Sequence, residues 1–130
     1  MADARFQMIT LSPTRGTPPS CVVWRFLSGN NRTLAQSVQC FPDDEACLLS
    51  VRELRSELAG AAVLPARDER GMWSWRLRVG DVGLAASSRR YQRRIRAQEA
   101  GESFRHYAAE TGEVETVRLA SSSGLLIESC

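Results

Sequence analysis

One block of sequence occurs twice in this chain, about 50 residues apart, so any fold it adopts must offer both copies equivalent surroundings. Trp24-Arg25-Phe26-Leu27 returns as Trp75-Arg76-Leu77-Arg78. Ten residues later Leu34-Ala35-Gln36-Ser37 returns as Leu84-Ala85-Ala86-Ser87, with one residue lost between the blocks. An aromatic follows each at the same distance, Phe41 and Tyr91. At an offset of 50, Cys47, Val51, Leu54 and Leu58 fall on Ala97, Gly101, Phe104 and Ala108, and steps of four, three and four trace one helical stripe. Two units, residues 1–60 and 61–110, account for nearly everything before a C-terminal extension over 111–130. A chain of 130 residues holds one ordinary domain or two very small ones and leaves no room for a catalytic domain beside a regulatory one.

Each unit reads as three strands followed by a helix. Trp73, Trp75, Leu77 and Val79 alternate with Ser74, Arg76 and Arg78, a period of two that sends large apolar groups to one sheet face and arginines to the other. Val22, Trp24 and Phe26 do the same against Val23, Arg25 and Leu27, where the second face is less polar. Ser28-Gly29-Asn30-Asn31 and Gly80-Asp81-Val82-Gly83 have the composition of tight turns and join the flanking strands into hairpins. An earlier strand opens each unit, Phe6–Leu11 and Ala61–Ala66, with Pro65 demoting the latter to an edge or marking its end. The proline-rich stretch Ser12–Ser20 is a loop. The first helix starts at Pro42-Asp43-Asp44-Glu45, where acids complement the helix dipole, and ends before Gly60. The second runs from about Gln92 to Ala109, with Gly112 beyond it and an interior Gly101 that permits close approach to another element. Neither unit buries enough apolar surface alone, so the two are expected to share one core.

These residues resemble a known family. Gly71-Met-Trp-Ser-Trp-Arg-Leu-Arg, then Gly83-Leu-Ala-Ala-Ser-Ser-Arg-Arg-Tyr, then an amphipathic helix, are similar to the small bacterial YegP-like family, also called DUF1508. The likeness covers about 100 residues and is strongest in the second unit; the first carries Asn30-Asn31 where that family has Asn-Gly. It implies an α+β fold of two tandem β-β-β-α units sharing one core, an antiparallel sheet with both helices on one side. It implies no activity, cofactor or substrate, because fold alone does not carry function.

Charge distribution limits the functional classes. All 17 basic residues are arginine, and against 15 acids the net charge is only +2, so a basic partner surface has to be local. Residues 76–96 form that island, with seven arginines and one aspartate. Arg89, Arg90, Arg93, Arg94 and Arg96 surround Tyr91 at the start of the second helix, opposing its dipole, where the first helix places acids. With Arg76 and Arg78 from the neighbouring strand they are the candidate anion-binding or partner-binding residues. Glu99 and Glu102 offer partial neutralisation one turn on. Trp73 lacks a counterpart in the first unit and is the candidate exposed aromatic, whereas Trp24 and Trp75 are core.

No catalytic, cofactor-binding or metal-binding residues emerge. Ser37 and Ser87 recur without a base, so they read as hydrogen-bonding residues at strand ends, and the single His106 sits in a helix. Gly80-Asp81-Val82-Gly83 is too short for a phosphate loop and has no lysine. Cys21, Cys40, Cys47 and Cys130 lack the spacing of a zinc site. No signal-peptide core or membrane span is evident, and a cytoplasmic location with four free thiols is expected, Cys40 and Cys47 as small core residues. In the extension, Val114, Thr116 and Val117 or Leu119 suit an added strand; Ser121–Gly124 reads as a joint before the apolar Leu125–Ile127. The resulting expectation is a non-enzymatic binding or scaffold module acting through protein contacts or self-association. The alternative is a nucleic-acid binder that uses the arginine island on phosphates.

Overall fold

Period-two alternation around Trp24 and Trp75 is realised as strand in the computed structural model, which describes residues 4–11, 21–111 and 114–119. In chain order the elements are β1 (Arg5–Leu11), β2 (Cys21–Leu27), β3 (Thr33–Gln36), α1 (Asp44–Glu57), a short 3-10 turn (Leu58–Gly60), β4 (Ala62–Arg67), β5 (Trp73–Val79), β6 (Val82–Ser87), α2 (Arg94–Glu110) and β7 (Val114–Leu119). Seven strands form one sheet in the order β4-β5-β6-β3-β2-β1-β7. Its neighbours are antiparallel except β1 and β7, which run parallel. The expected antiparallel sheet is thus mixed at one edge, where pairing Phe6 with Val114 turns Val114 toward the core and sets Glu115 beside Gln7.

Local chemistry accounts for the boundaries. Val79 pairs with Val82 across a two-residue turn in which Gly80 takes φ 57°, and Asn31 takes φ 64° in the β2–β3 connection. Both hairpins carry a register shift one residue after the core position, at Phe26/Leu27 and at Leu77/Arg78. Asp43 caps α1 by accepting the Ala46 amide at 2.8 Å, with Asp44 and Glu45 in the first turn. Pro65 lies in β4, the outermost strand on its side.

All eight residues of the two helical stripes are buried. One buried cluster joins Cys47, Val51 and Leu54 of α1 and Phe104 and Ala108 of α2 to Phe6, Trp24, Phe26, Trp75 and Leu77 of the sheet. Gly101 is essential to this packing, since a Cβ there would stand 2.4 Å from Val63 Cγ1 and 3.1 Å from the Trp75 ring. Two arginines tie the helices together reciprocally: Arg55 Nε donates to the Ala108 carbonyl at 3.2 Å and Arg105 Nη1 to the Leu58 carbonyl at 3.0 Å. Both carbonyls lie in the last turn of their helical segments, and the Leu58 carbonyl also accepts the Ala61 amide at 3.3 Å.

Ser37 and Ser87 each take the strand-end role: their hydroxyls accept from the Trp24 and Trp75 amides at 3.4 and 3.2 Å. Val22 and Phe41 exchange two backbone hydrogen bonds of 2.9 and 2.8 Å, and Trp73 and Tyr91 exchange two of 2.6 and 2.7 Å.

The cysteine expectation is overturned. Cys21 and Cys40 form a disulfide with Cα atoms 5.1 Å apart. The Val22–Phe41 bridge beside it carries the neighbouring backbones into that range. Cys40 is therefore a half-buried cross-link and no core thiol, and cysteine usage no longer argues for a reducing compartment. Cys47 is the buried free thiol among the described residues, and burial, with Asp44 nearby, pushes it up to about 12. Ser12–Ser20, Gly112, Ser121–Gly124, Leu125–Ile127 and Cys130 lie outside the described residues.

Candidate anion-binding face

In a sheet, register partners carry their side chains to the same face. The face opposite the tryptophans is crossed by one row that touches every strand: Glu115, Gln7, Arg25, Gln36, Ala86, Arg76 and Leu64. The repeated arginines Arg25 and Arg76 both stand in it, and their surroundings differ. Arg25 is only partly exposed and donates through Nε to Gln7 Oε1 at 2.6 Å. Burial, then the proximity of Arg5, lowers its pKa. Gln7 in turn donates to Glu115 Oε1 at 3.0 Å, while Arg5 Nε reaches Glu115 Oε2 at 2.9 Å and its Nη2 reaches Asn31 Oδ1 at 2.7 Å. The Gln7 and Arg5 hydrogen bonds hold the Glu115 carboxyl below the ordinary value. The strand β7 thus delivers a carboxylate that completes the network at this end of the sheet.

At the other end the partner of Arg76 is Leu64, which cannot accept a hydrogen bond. Arg76 is exposed and has no acidic partner among the described residues. Beside it lies a pocket of about 100 Å³. Gln36, Ser74, Arg76, Ala86, Ser88, Arg89 and Arg90 are among its walls. No carboxylate lines it. Of its three arginines only Arg90 forms an ion pair among the described residues, with Asp68 Oδ2 at 3.2 Å. Asp68 Oδ1 also accepts the Met72 and Arg70 amides at 2.9 and 2.8 Å, and these hydrogen bonds, with Arg90, lower its pKa. The Ser88 hydroxyl is buried and has no hydrogen-bond partner among the described residues. Sequence reasoning did not single out Ser88 or Gln36; the adjacent repeated Ser87 and the repeated strand of Gln36 were the available signals.

The connection from β6 to α2 supplies the rest of the island. Arg93 occupies the N-cap of α2 without making a side-chain cap, and the first turn holds no acid. Arg89, Arg93 and Arg94 are exposed and form no ion pair among the described residues. Arg96 pairs with Glu99 at 3.3 Å, whereas Glu102 is engaged by Arg105 at 3.1 Å and does not serve the island. Arg78 sits on β5 opposite Ala62 and Gly83, away from the pocket walls. Trp73 is partly exposed and bonded through its backbone to Tyr91, while Trp24 and Trp75 are 1% and 0% exposed. Burial raises the Tyr91 phenol pKa.

His106 lies on the outer side of α2, 3.5 Å from Glu110. Among the described residues no three histidine, cysteine or acidic side chains cluster as a metal site would need. No helix of the described residues is long and apolar enough to cross a membrane.

The molecule is thus an α+β protein with a seven-stranded sheet and two helices, and its fold has solved counterparts. The UPF0339 protein SO3888 of Shewanella oneidensis matches with a TM-score of 0.66 at 9% identity, over 89% of this chain and 92% of that one. The E. coli protein yegP, described as of unknown function, matches with a TM-score of 0.63 at 13% identity, over 93% and 98%. No family model and no curated protein matches the sequence. At these identities the likeness is one of fold.

Proposed function

We propose that this chain is a non-enzymatic binding module that holds the phosphates of a nucleic acid on the helix-free side of its sheet and at the start of α2. The observation that supports this most directly is that Arg76 from β5 and Arg89 and Arg90 from the β6–α2 connection line one pocket, with two of the three lacking an acidic partner among the described residues. Guanidinium groups free of internal carboxylates are available for phosphate, which they match in fork geometry. The repeated serines and the histidine have structural partners, so they are not assigned to catalysis. The same reading takes the fold as a divergent YegP-like pair of β-β-β-α units with both helices on one side, supported by the matching hydrogen bonds of Ser37 and Ser87 and the reciprocal Arg55 and Arg105 contacts.

The test is a salt titration of oligonucleotide binding by fluorescence anisotropy. Contacts from Arg76, Arg89, Arg93 and Arg94 to a single strand predict a log–log slope of about −3. Arg93→Asp separates binding from folding: it gives α2 the acidic cap that α1 already has, adding about 1 kcal/mol of stability while weakening binding. Salt-independent binding, or none, contradicts the reading.

A second reading, a scaffold acting by self-association, is favoured by the free edge of β4 and the 44% exposure of Leu64. Light scattering decides it, because a monomer at high concentration leaves that edge unused.

A further inference from the structure

The pocket beside Arg76 is small, which restricts what can occupy it. Drug-sized and cofactor-sized ligands fill roughly 300–1,000 Å³. The pocket measures about 100 Å³ and is open to solvent on one side, so it encloses a small group and only the end of anything larger. That space holds a few waters, enough for one tetrahedral oxyanion.

Its walls carry the matching chemistry. Arg76 and Arg89 are uncompensated, and the charge of Arg90 is offset by Asp68, so about two positive charges face the space. Ser88 also lines the space, with a buried hydroxyl that has no partner among the described residues. A terminal phosphate monoester carries roughly −1.5 to −2 charges at pH 7, against −1 for an internal diester, and fits that balance better.

We propose that this pocket is a subsite for a single phosphate monoester, the terminal phosphate of a nucleic-acid strand. The inference rests on the reading above and deepens it: the remaining arginines, Arg93 and Arg94, follow the adjoining backbone, and the pocket selects a strand end.

The experiment compares the full chain's affinity for one oligonucleotide with and without a terminal phosphate, at either end, alongside inorganic phosphate followed by amide chemical shifts. The phosphorylated strand is expected to bind about tenfold more tightly, the effect of one well-made set of charge-assisted hydrogen bonds. Inorganic phosphate is expected to shift the Ser87–Arg90 amides. Arg76→Gln, an exposed change with no internal partner to lose, should abolish the preference, whereas Arg94→Gln should weaken both strands alike. Equal affinities with no phosphate-induced shift overturn the subsite yet leave the general phosphate reading standing if binding is salt-dependent. Shifts with inorganic phosphate and no oligonucleotide binding support the subsite, with a small phosphate monoester as its source, and overturn the nucleic-acid reading.

Discussion

Gly101 stands where α2 crosses β4 and β5, and its missing side chain lets the helix approach the Trp75 ring and Val63. Two effects oppose each other in Gly101→Ala. Helix propensity favours alanine by about 1 kcal/mol, while a methyl placed 2.4 Å from Val63 Cγ1 must push β4 or the helix aside, which costs about 1–3 kcal/mol in a packed core. The clash is expected to win, and a lowered denaturation midpoint at unchanged m-value would show it; a stabilised variant would mean that the sheet edge yields freely. The position is legible beforehand, because the offset of 50 places Gly101 opposite Val51 in the helical stripe. The serines at 37 and 87 are legible by the same offset after the one-residue deletion. The disulfide is not, since cysteine spacing carries no pairing information and the expected reducing compartment pointed toward free thiols. Ser88 is equally silent: its meaning depends on which strands meet at the centre of the sheet, and that pairing joins residues about 50 apart.

At the level of elements, the disulfide duplicates a connection that the backbone already makes. Cys21–Cys40 sits beside the Val22–Phe41 bridge, and the Trp73–Tyr91 bridge forms the same two hydrogen bonds with no covalent link. The bond is therefore expected to add stability without specifying structure. With the cysteines separated by 19 positions, the loop-closure model gives it about 3 kcal/mol, exerted on the unfolded chain. Unfolding followed with and without reductant should show that loss, while the amide spectrum of the reduced protein retains the β2 and β5 signals. Collapse of the spectrum on reduction would show instead that the first bridge cannot form unaided. The strands also explain the limits of element-level reading. Alternation finds β2 and β5, but Ile9 and Val23 are fully buried on the face opposite the tryptophans, so that face is not uniformly polar, and two-sided burial leaves no period-two trace. The parallel docking of β7 on β1 rests on Val114, Glu115 and their partners across the sheet, contacts that no local pattern announces.

At the scale of the whole molecule, the all-arginine composition divides by location. Arg5 and Arg25 belong to the Glu115–Gln7 network, Arg55 and Arg105 join the helices, and Arg76, Arg89, Arg93 and Arg94 form no ion pair among the described residues. The two sets of tied arginines lie where both halves of the chain meet or where β7 closes the sheet, and the core repeats that arrangement in apolar form. Phe104, on α2, stacks on Trp24 at 6.2 Å and on Trp75 at 5.4 Å, and meets Phe26 and Phe6 edge-on at 5.2 and 6.5 Å. One side chain thus bridges aromatic residues of β1 and β2 with one of β5. If the halves fold as one cooperative unit, Phe104→Ala should cost about 3–5 kcal/mol and lower the protection of β2 and β5 amides by the same factor. Hydrogen exchange resolved by residue tests this directly. Loss of protection confined to β5 and α2 would mean that the first half holds its own core, and that the aromatic cluster is a contact between two folding units.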